Sequence, residues 1–295
     1  MKRLLFFFSI IFLLLIFHDN VISGATDGLL LWYRVLVPTL LPFILITGAM
    51  SESHCYDVLT FGKSGAKSYC ITAFIIGNMC GYPIGAKILN DFISQKKIPK
   101  NLASDMLSVS SQASPMFLIG YIYNKMLNKS MPLFPFLIIL YIPSIILFII
   151  KLKNIDFFDY LLIPQKSERT NNNYNDTFIS AVRTIVVIGV YVMIFSILFG
   201  VLLPNISNPY IKCSLSFLEI TTGLNLLKSL PFISSFKLPL IMSLSSFGGL
   251  CSAYQIKSVL TYENATIKKY LFDKLILSTG TFLLTYLYQI FLSIV

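Results

Sequence analysis

At 295 residues and 33.3 kDa, with 56% hydrophobic residues, 12% charged residues and a mean hydropathy of +0.76, the chain has too little polar surface for a soluble domain. Its net charge of +10 belongs in membrane-flanking loops near anionic headgroups rather than on nucleic acid, because no soluble basic domain exists to carry it. Five cysteines without a CxxC pair and two distant histidines, His18 and His54, give neither a disulfide framework nor the spacing of metal ligands, and nothing calls for a cofactor.

Lys2 and Arg3 precede an apolar run from Leu4 to Phe17, followed by Val21-Ile22-Ser23-Gly24. We read an uncleaved first helix, with a cleavable signal peptide as the alternative. Thr26 to Val37 sets Asp27 and Arg34 among Leu29, Leu30, Leu31, Trp32 and Tyr33, a mixture suited to the membrane interface. Pro38 and Pro42 then interrupt the chain, which predicts a re-entrant turn rather than a straight crossing.

Within the stretch Tyr69 to Asn90, Gly77, Gly81 and Gly85 lie four apart on one helical face, the small-residue spacing of close helix packing. Tyr82 and Pro83 follow Gly81 directly, and Pro83 lacks the backbone donor, so a helix break is expected there with a new half-helix from about Ile84. Such a half-helix aims unpaired N–H groups and its positive end at the contents of a cavity. Lys87 stands one turn further on, either facing a ligand or counter-ion or snorkelling to the interface. From Leu102 to Tyr123 the chain carries Ser108, Ser110, Ser111, Gln112 and Ser114 before Pro115. These groups either re-bond freed backbone or coordinate substrate, and Gln112 is the better ligand because an amide both donates and accepts.

Pro132 to Ile150, Ile185 to Leu203 and Leu275 to Val295 are uncharged runs long enough to cross a hydrocarbon core. Between the first two lies a polar linker, residues 151–176. The second half brings Glu219 with Thr221-Thr222-Gly223, where the carboxylate is a proton-coupling group, a partner for Lys87 or a loop acid. Ser243, Ser245 and Ser246 then precede a second break at Gly248 and Gly249, with Gln255 beyond it. Interruptions at membrane depth survive only when buried in protein or facing water, so paired interruptions point to a midplane binding site. Setting Gly81 against Gly249 places Lys87 on Gln255 and predicts that the two face one cavity.

The expected fold is an all-α polytopic membrane protein made of two inverted repeats with broken or re-entrant helices. Residues 1–150 form the first membrane repeat and 177–295 the second. The runs Leu41-Pro42-Phe43, Gly81-Tyr82-Pro83-Ile84-Gly85-Ala86-Lys87, Ser114-Pro115-Met116-Phe117, Leu218-Glu219-Ile220-Thr221-Thr222-Gly223 and Phe247-Gly248-Gly249-Leu250 with Gln255 resemble the nucleoside-recognition (Gate) domain membrane proteins. Within them the chain looks most like the sporulation integral membrane proteins of the YlbJ type. The resemblance spans roughly Gly28 to the C-terminus. It implies two inverted repeats of broken helices, a bacterial cell membrane location at the mother-cell or outer forespore membrane, and movement of dipicolinate towards the forespore. Ser111-Gln112-Ala113-Ser114-Pro115 departs from the Asn-Asn-Ala-Gly-Pro-like motif usual in that group, and the chain is shorter than usual.

An enzyme is not expected. Ser64-Gly65-Ala66-Lys67 and Ser94-Gln95-Lys96-Lys97 match a bare SxxK, but the companion SDN and KTG motifs, HExxH and GxSxG are all missing. The sequence therefore predicts an alternating-access transporter in the lipid bilayer for a small organic anion. A nucleoside-like solute and a non-transporting scaffold are the alternatives, and the oligomeric state, a homo-oligomer included, is left open.

Overall fold

In hydrocarbon every backbone N–H and C=O needs a partner, which an uncharged apolar run finds most simply within its own helix. A computed structural model describes residues 2–53, 55–60, 65–153, 174–231, 234–261 and 265–294, and every regular element among them is helical. Most of the expected polar linker, 154–173, lies outside the described residues. Among the described residues five helices are long and apolar enough to cross a membrane: His18–Glu52, Leu133–Lys153, Phe178–Asn205, Ser235–Val259 and Ile267–Ser293. The protein is an all-α polytopic membrane protein. Its last span starts earlier than the uncharged run at Leu275, so Asp273 and Lys274 lie inside the helix rather than at its mouth.

The re-entrant turn expected at Pro38 and Pro42 does not form. After the exposed apolar helix α1 (Lys2–Ile16), α2 (His18–Leu31), a π-helical stretch (Trp32–Leu36) and α3 (Val37–Glu52) make one continuous crossing. Pro38 falls in the first turn of α3, where a missing N–H costs least, and the wider π turn absorbs the ring. Thr39 Oγ1 donates to the carbonyls of Val35 (2.7 Å) and Leu36 (3.3 Å), giving those acceptors a donor.

α10 (Tyr174–Leu202) lies antiparallel to this opening span. Asn20 Nδ2 donates to Gly200 O at 2.9 Å, Gly24 rests against the Ser196 carbonyl, and Trp32 Nε1 donates to Ile185 O at 2.8 Å, so residue numbers fall on one helix as they rise on the other. Glycines let the backbones touch: a Cβ on Gly24 would stand 2.7 Å from Ser196 O. The closing spans α9 (Leu133–Lys153) and α15 (Ala265–Ile294) are antiparallel in the same way, with Lys151 paired to Asp273 and Gly280 over Pro143. Corresponding spans of the two halves thus run in opposite directions, which is an inverted arrangement.

Between opening and closing spans each half inserts a helical hairpin and an interrupted span. In the first half, α4 (Cys55–Leu59) leads to α5 (Ala66–Cys80) and α6 (Ile84–Ser94), which fold back on each other. Tyr69 meets Phe92 near the base at 5.1 Å between ring centroids, and Gly77 meets Gly85 near the tip. The base sits on the side where α9 ends and α10 begins, called here the linker side. It is anchored by the Lys97–Asp57 pair and by Ser51 Oγ donating to Asp91 Oδ2 at 2.9 Å. The chain then crosses as α7 (Lys100–Met106), an unwound stretch 107–114, and α8 (Pro115–Phe117) continuing as π-helix to Met126. This crossing tracks α9 from the Val109–Ser144 contact to the Tyr123–Phe136 rings.

The second half repeats the order from the opposite side. α11 (Pro209–Ser216) and α12 (Ile220–Ser229) form a hairpin with its tip at 217–219. α13 (Ser234–Phe247), Gly248 and α14 (Gly249–Val259) then cross beside α15, from Phe236 on Tyr286 to Ser252 on Tyr270. The pairing of Gly81 with Gly249 is therefore corrected. Gly81 ends one arm of a hairpin and corresponds to 217–219, whereas Gly248 interrupts a spanning helix and corresponds to 107–114.

Candidate functional site

Each hairpin tip packs on the interrupted span of its own half. In the first half Tyr82 N donates to Gln112 O at 3.0 Å and Asn78 Nδ2 to Val109 O at 2.9 Å. Gly77 and Gly85 clasp the Ser110 carbonyl so closely that a Cβ on either would overlap it. Gly81, at φ +85°, abuts Ser114, and the Tyr82–Pro83 peptide is cis. In the second half Leu250 N donates to Phe217 O at 2.9 Å and Cys251 N to Leu218 O at 2.8 Å, so the first N–H groups of α14 are taken by the opposing tip. Gly248 and Gly249 adopt φ of +85° and +80°, conformations open to glycine, and Gly249 lies against Glu219 and Ile220.

The two crossings meet. A Cβ on Gly248 would stand 3.3 Å from the Tyr82 ring, so the tip of one half touches the break of the other. Lys274 of α15 joins them by hydrogen bonds: it is 0% exposed, and its Nζ donates to Gln112 Oε1 at 2.8 Å and to Ser246 O at 3.3 Å, 5.7 Å from the Tyr270 ring centroid. Gln112 Nε2 donates in turn to Ser108 O (3.1 Å) and Ser144 Oγ (3.4 Å). The neighbouring carboxylate, Asp273, is committed elsewhere. It is paired with Lys151 and accepts from Ser108 Oγ at 2.7 Å. Among the described residues Lys274 is therefore a buried amine with neutral acceptors only, in a medium where carrying a charge out of water costs several kcal/mol unless a counter-charge is supplied. On the same interrupted stretch as Gln112 the hydroxyls of Ser110 and Ser111, and on the hairpin arm packed against it the Oδ1 of Asn78, are buried with no hydrogen-bond partner among the described residues.

The residues expected to form the site divide into three groups. Gly81, Tyr82, Pro83, Gly85, Gln112, Ser114, Gly248 and Gly249 lie at the crossings, with Ser114 Oγ also capping α8 through Phe117 N at 3.3 Å. A cavity of about 20 Å³, room for one or two waters, is lined by Tyr82, Ala113, Ser114 and Phe117 together with Leu36, Thr39 and Leu40. Glu219 is at the second tip, but both carboxylate oxygens serve as the N-cap of α12, accepting from Thr221 N (3.0 Å) and Oγ1 (3.0 Å) and from Thr222 N (2.7 Å). Thr222 is half-buried one turn along. Lys87 and Gln255 are not bonded to each other. Lys87 Nζ donates to Ser180 Oγ of α10 at 3.1 Å, while Gln255 Nε2 donates to Cys251 Sγ of its own helix at 3.2 Å.

Sequence reasoning missed Lys274, because a charge beside an apolar run looks like the end of a span. The usable signal was a polar stripe at helical spacing: Lys274, Ser278, Thr281 and Thr285 recur on one face of α15, and all are buried. The break at 107–114 was likewise seen as a polar patch and not as an interruption. Comparisons with protein-family models, with curated proteins and with solved structures returned no match.

Proposed function

We propose that the protein is a membrane transporter that moves a small organic anion by alternating access through the site around Lys274. The observation that carries this reading is a fully buried lysine amine with no carboxylate partner among the described residues, held where two hairpin tips and two interrupted spans converge. A bound anion would supply the missing counter-charge, and the unpartnered hydroxyls of Ser110 and Ser111 would replace part of its hydration. Lys274 takes the role expected of Lys87.

Dipicolinate, a small planar dianion, is the proposed substrate on the strength of the sequence resemblance. A nucleoside-like solute is the second reading, favoured by the neutral donors and acceptors of Gln112, Asn78 and the two serines. Purified protein in proteoliposomes, offered dipicolinate and nucleosides side by side, separates the two. Saturable dipicolinate uptake supports the anion reading, nucleoside uptake alone the second, and uptake of neither refutes transport of both. In a spore-forming host, deletion should give spores poor in dipicolinate while the mother cell still makes it.

A further inference from the structure

A second cavity, of about 190 Å³, opens on the side opposite the linker, between α2, α10 and the first turn of α12. The polar side chains that line it carry oxygen alone: the exposed carboxylate of Asp27 and hydroxyl of Ser23, the half-buried Thr222 and the buried Ser196, with Phe199 and Leu203 on the apolar wall. None of these four side chains has a hydrogen-bond or ionic partner among the described residues. Ser196 is the telling case. It is only 5% exposed, and a buried helical serine ordinarily donates to the carbonyl one turn back, yet no such bond is made here: the residue lines the cavity, with its Oγ beside Gly28 of α2. The 3₁₀ turn that follows α10 lines the cavity with Leu203 and Pro204, so the negative end of that helix adds to the charge of Asp27. The opposing positive end of α12 is neutralised by the Glu219 cap.

We propose that this cavity is a binding site for a hard monovalent cation, Na⁺ in the first instance. Oxygen-only ligands select hard ions, and a single carboxylate matches one positive charge better than the two of Ca²⁺ or Mg²⁺. The volume accommodates an ion that keeps part of its hydration shell, since about 10–15 Å³ of such space already holds one water. Thr222 also links the cavity to the central site, since it lies three residues from Glu219, whose backbone packs on Gly249. A cation held there would bear on the hairpin that closes against the α13–α14 break. That linkage to anion movement rests on the proposed function; the binding claim does not.

The test is the thermal stability of detergent-purified protein in Na⁺ against K⁺ and N-methylglucamine at constant ionic strength and pH, with no anionic substrate present. A saturable Na⁺-specific rise of about 3 °C is expected at saturation. Asp27→Asn should abolish it, and Ser196→Ala should raise the half-saturating Na⁺ concentration about tenfold. Asp27 has no hydrogen-bond or ionic partner among the described residues, so Asp27→Asn should fold, and Thr222→Val, a second variant on the α12 wall of the cavity, should also raise the half-saturating Na⁺ concentration. Equal melting in Na⁺ and N-methylglucamine, a Na⁺ increment retained in Asp27→Asn, or stabilisation by Ca²⁺ but not Na⁺ would each overturn the assignment. Failed anion uptake with an intact Na⁺ effect would instead count against the transport reading alone.

Discussion

Replacing Lys274 by Met keeps the length and apolar body of the side chain and removes only the ammonium. Gln112 Oε1 then loses its 2.8 Å donor, which costs about 1–3 kcal/mol for a buried acceptor left unpaired. Relief from burying a cation offsets that loss by several kcal/mol, so the variant should fold and insert with stability near that of the parent. Its effect on an anionic substrate should be much larger. Deleting one partner of a buried charge-assisted pair costs about 2–5 kcal/mol, a loss of about 30- to 5,000-fold in uptake at limiting substrate. Lys87→Met is the matched control: its amine meets a serine hydroxyl on α10, so uptake should change by less than about threefold. The assay is initial-rate uptake of labelled dipicolinate into proteoliposomes containing equal amounts of each protein, with folding checked by gel filtration. Unchanged uptake in Lys274→Met, with uptake lost in Lys87→Met, would refute the placement of the substrate cation.

Gly85→Ala should lower stability by about 2–4 kcal/mol because the new methyl overlaps the Ser110 carbonyl, while Gly120→Ala, with open space around it, should be neutral or slightly stabilising; thermal melting in detergent compares them. Glu219→Gln should weaken the cap by about 1 kcal/mol and leave the pH profile of uptake unchanged, since both carboxylate oxygens are occupied by α12; an altered profile would restore a proton-coupling role. Asp273→Asn strands Lys151 and should destabilise by about 3–5 kcal/mol, and the double variant with Lys151→Met should recover most of the loss in the same melting assay. Single cysteines placed at Asn128 and Asn208 should label from one side of the membrane and those at Lys96 and Lys268 from the other, in a background without native thiols. Labelling of all four from the same side would contradict the inverted arrangement.

Composition and periodicity were enough for the membrane, the helices and most of the spans, because the need to satisfy every backbone group in hydrocarbon leaves few alternatives to an apolar run. The glycine-rich breaks at Gly81 and Gly248 were legible for a related reason: positive φ and a missing proline donor are local properties of the residue. The sequence also showed the polar residues Gln112 and Ser114 beside their break. What it could not show was which interruption is a hairpin tip and which a kink in a span, since the difference lies in whether the next helix turns back or goes on. Pro38 and Pro42 illustrate the limit, because a π turn and Thr39 absorbed what looked like a reversal. Tertiary structure alone assigned the charges. Lys87, next to a break in the sequence, is directed to α10, and Lys274, next to nothing distinctive, is carried by α15 into the meeting point of both halves. In a low-dielectric interior the role of a charge depends on what stands within hydrogen-bond reach, and those neighbours come from other segments of the fold, 28 to 162 positions away in the chain.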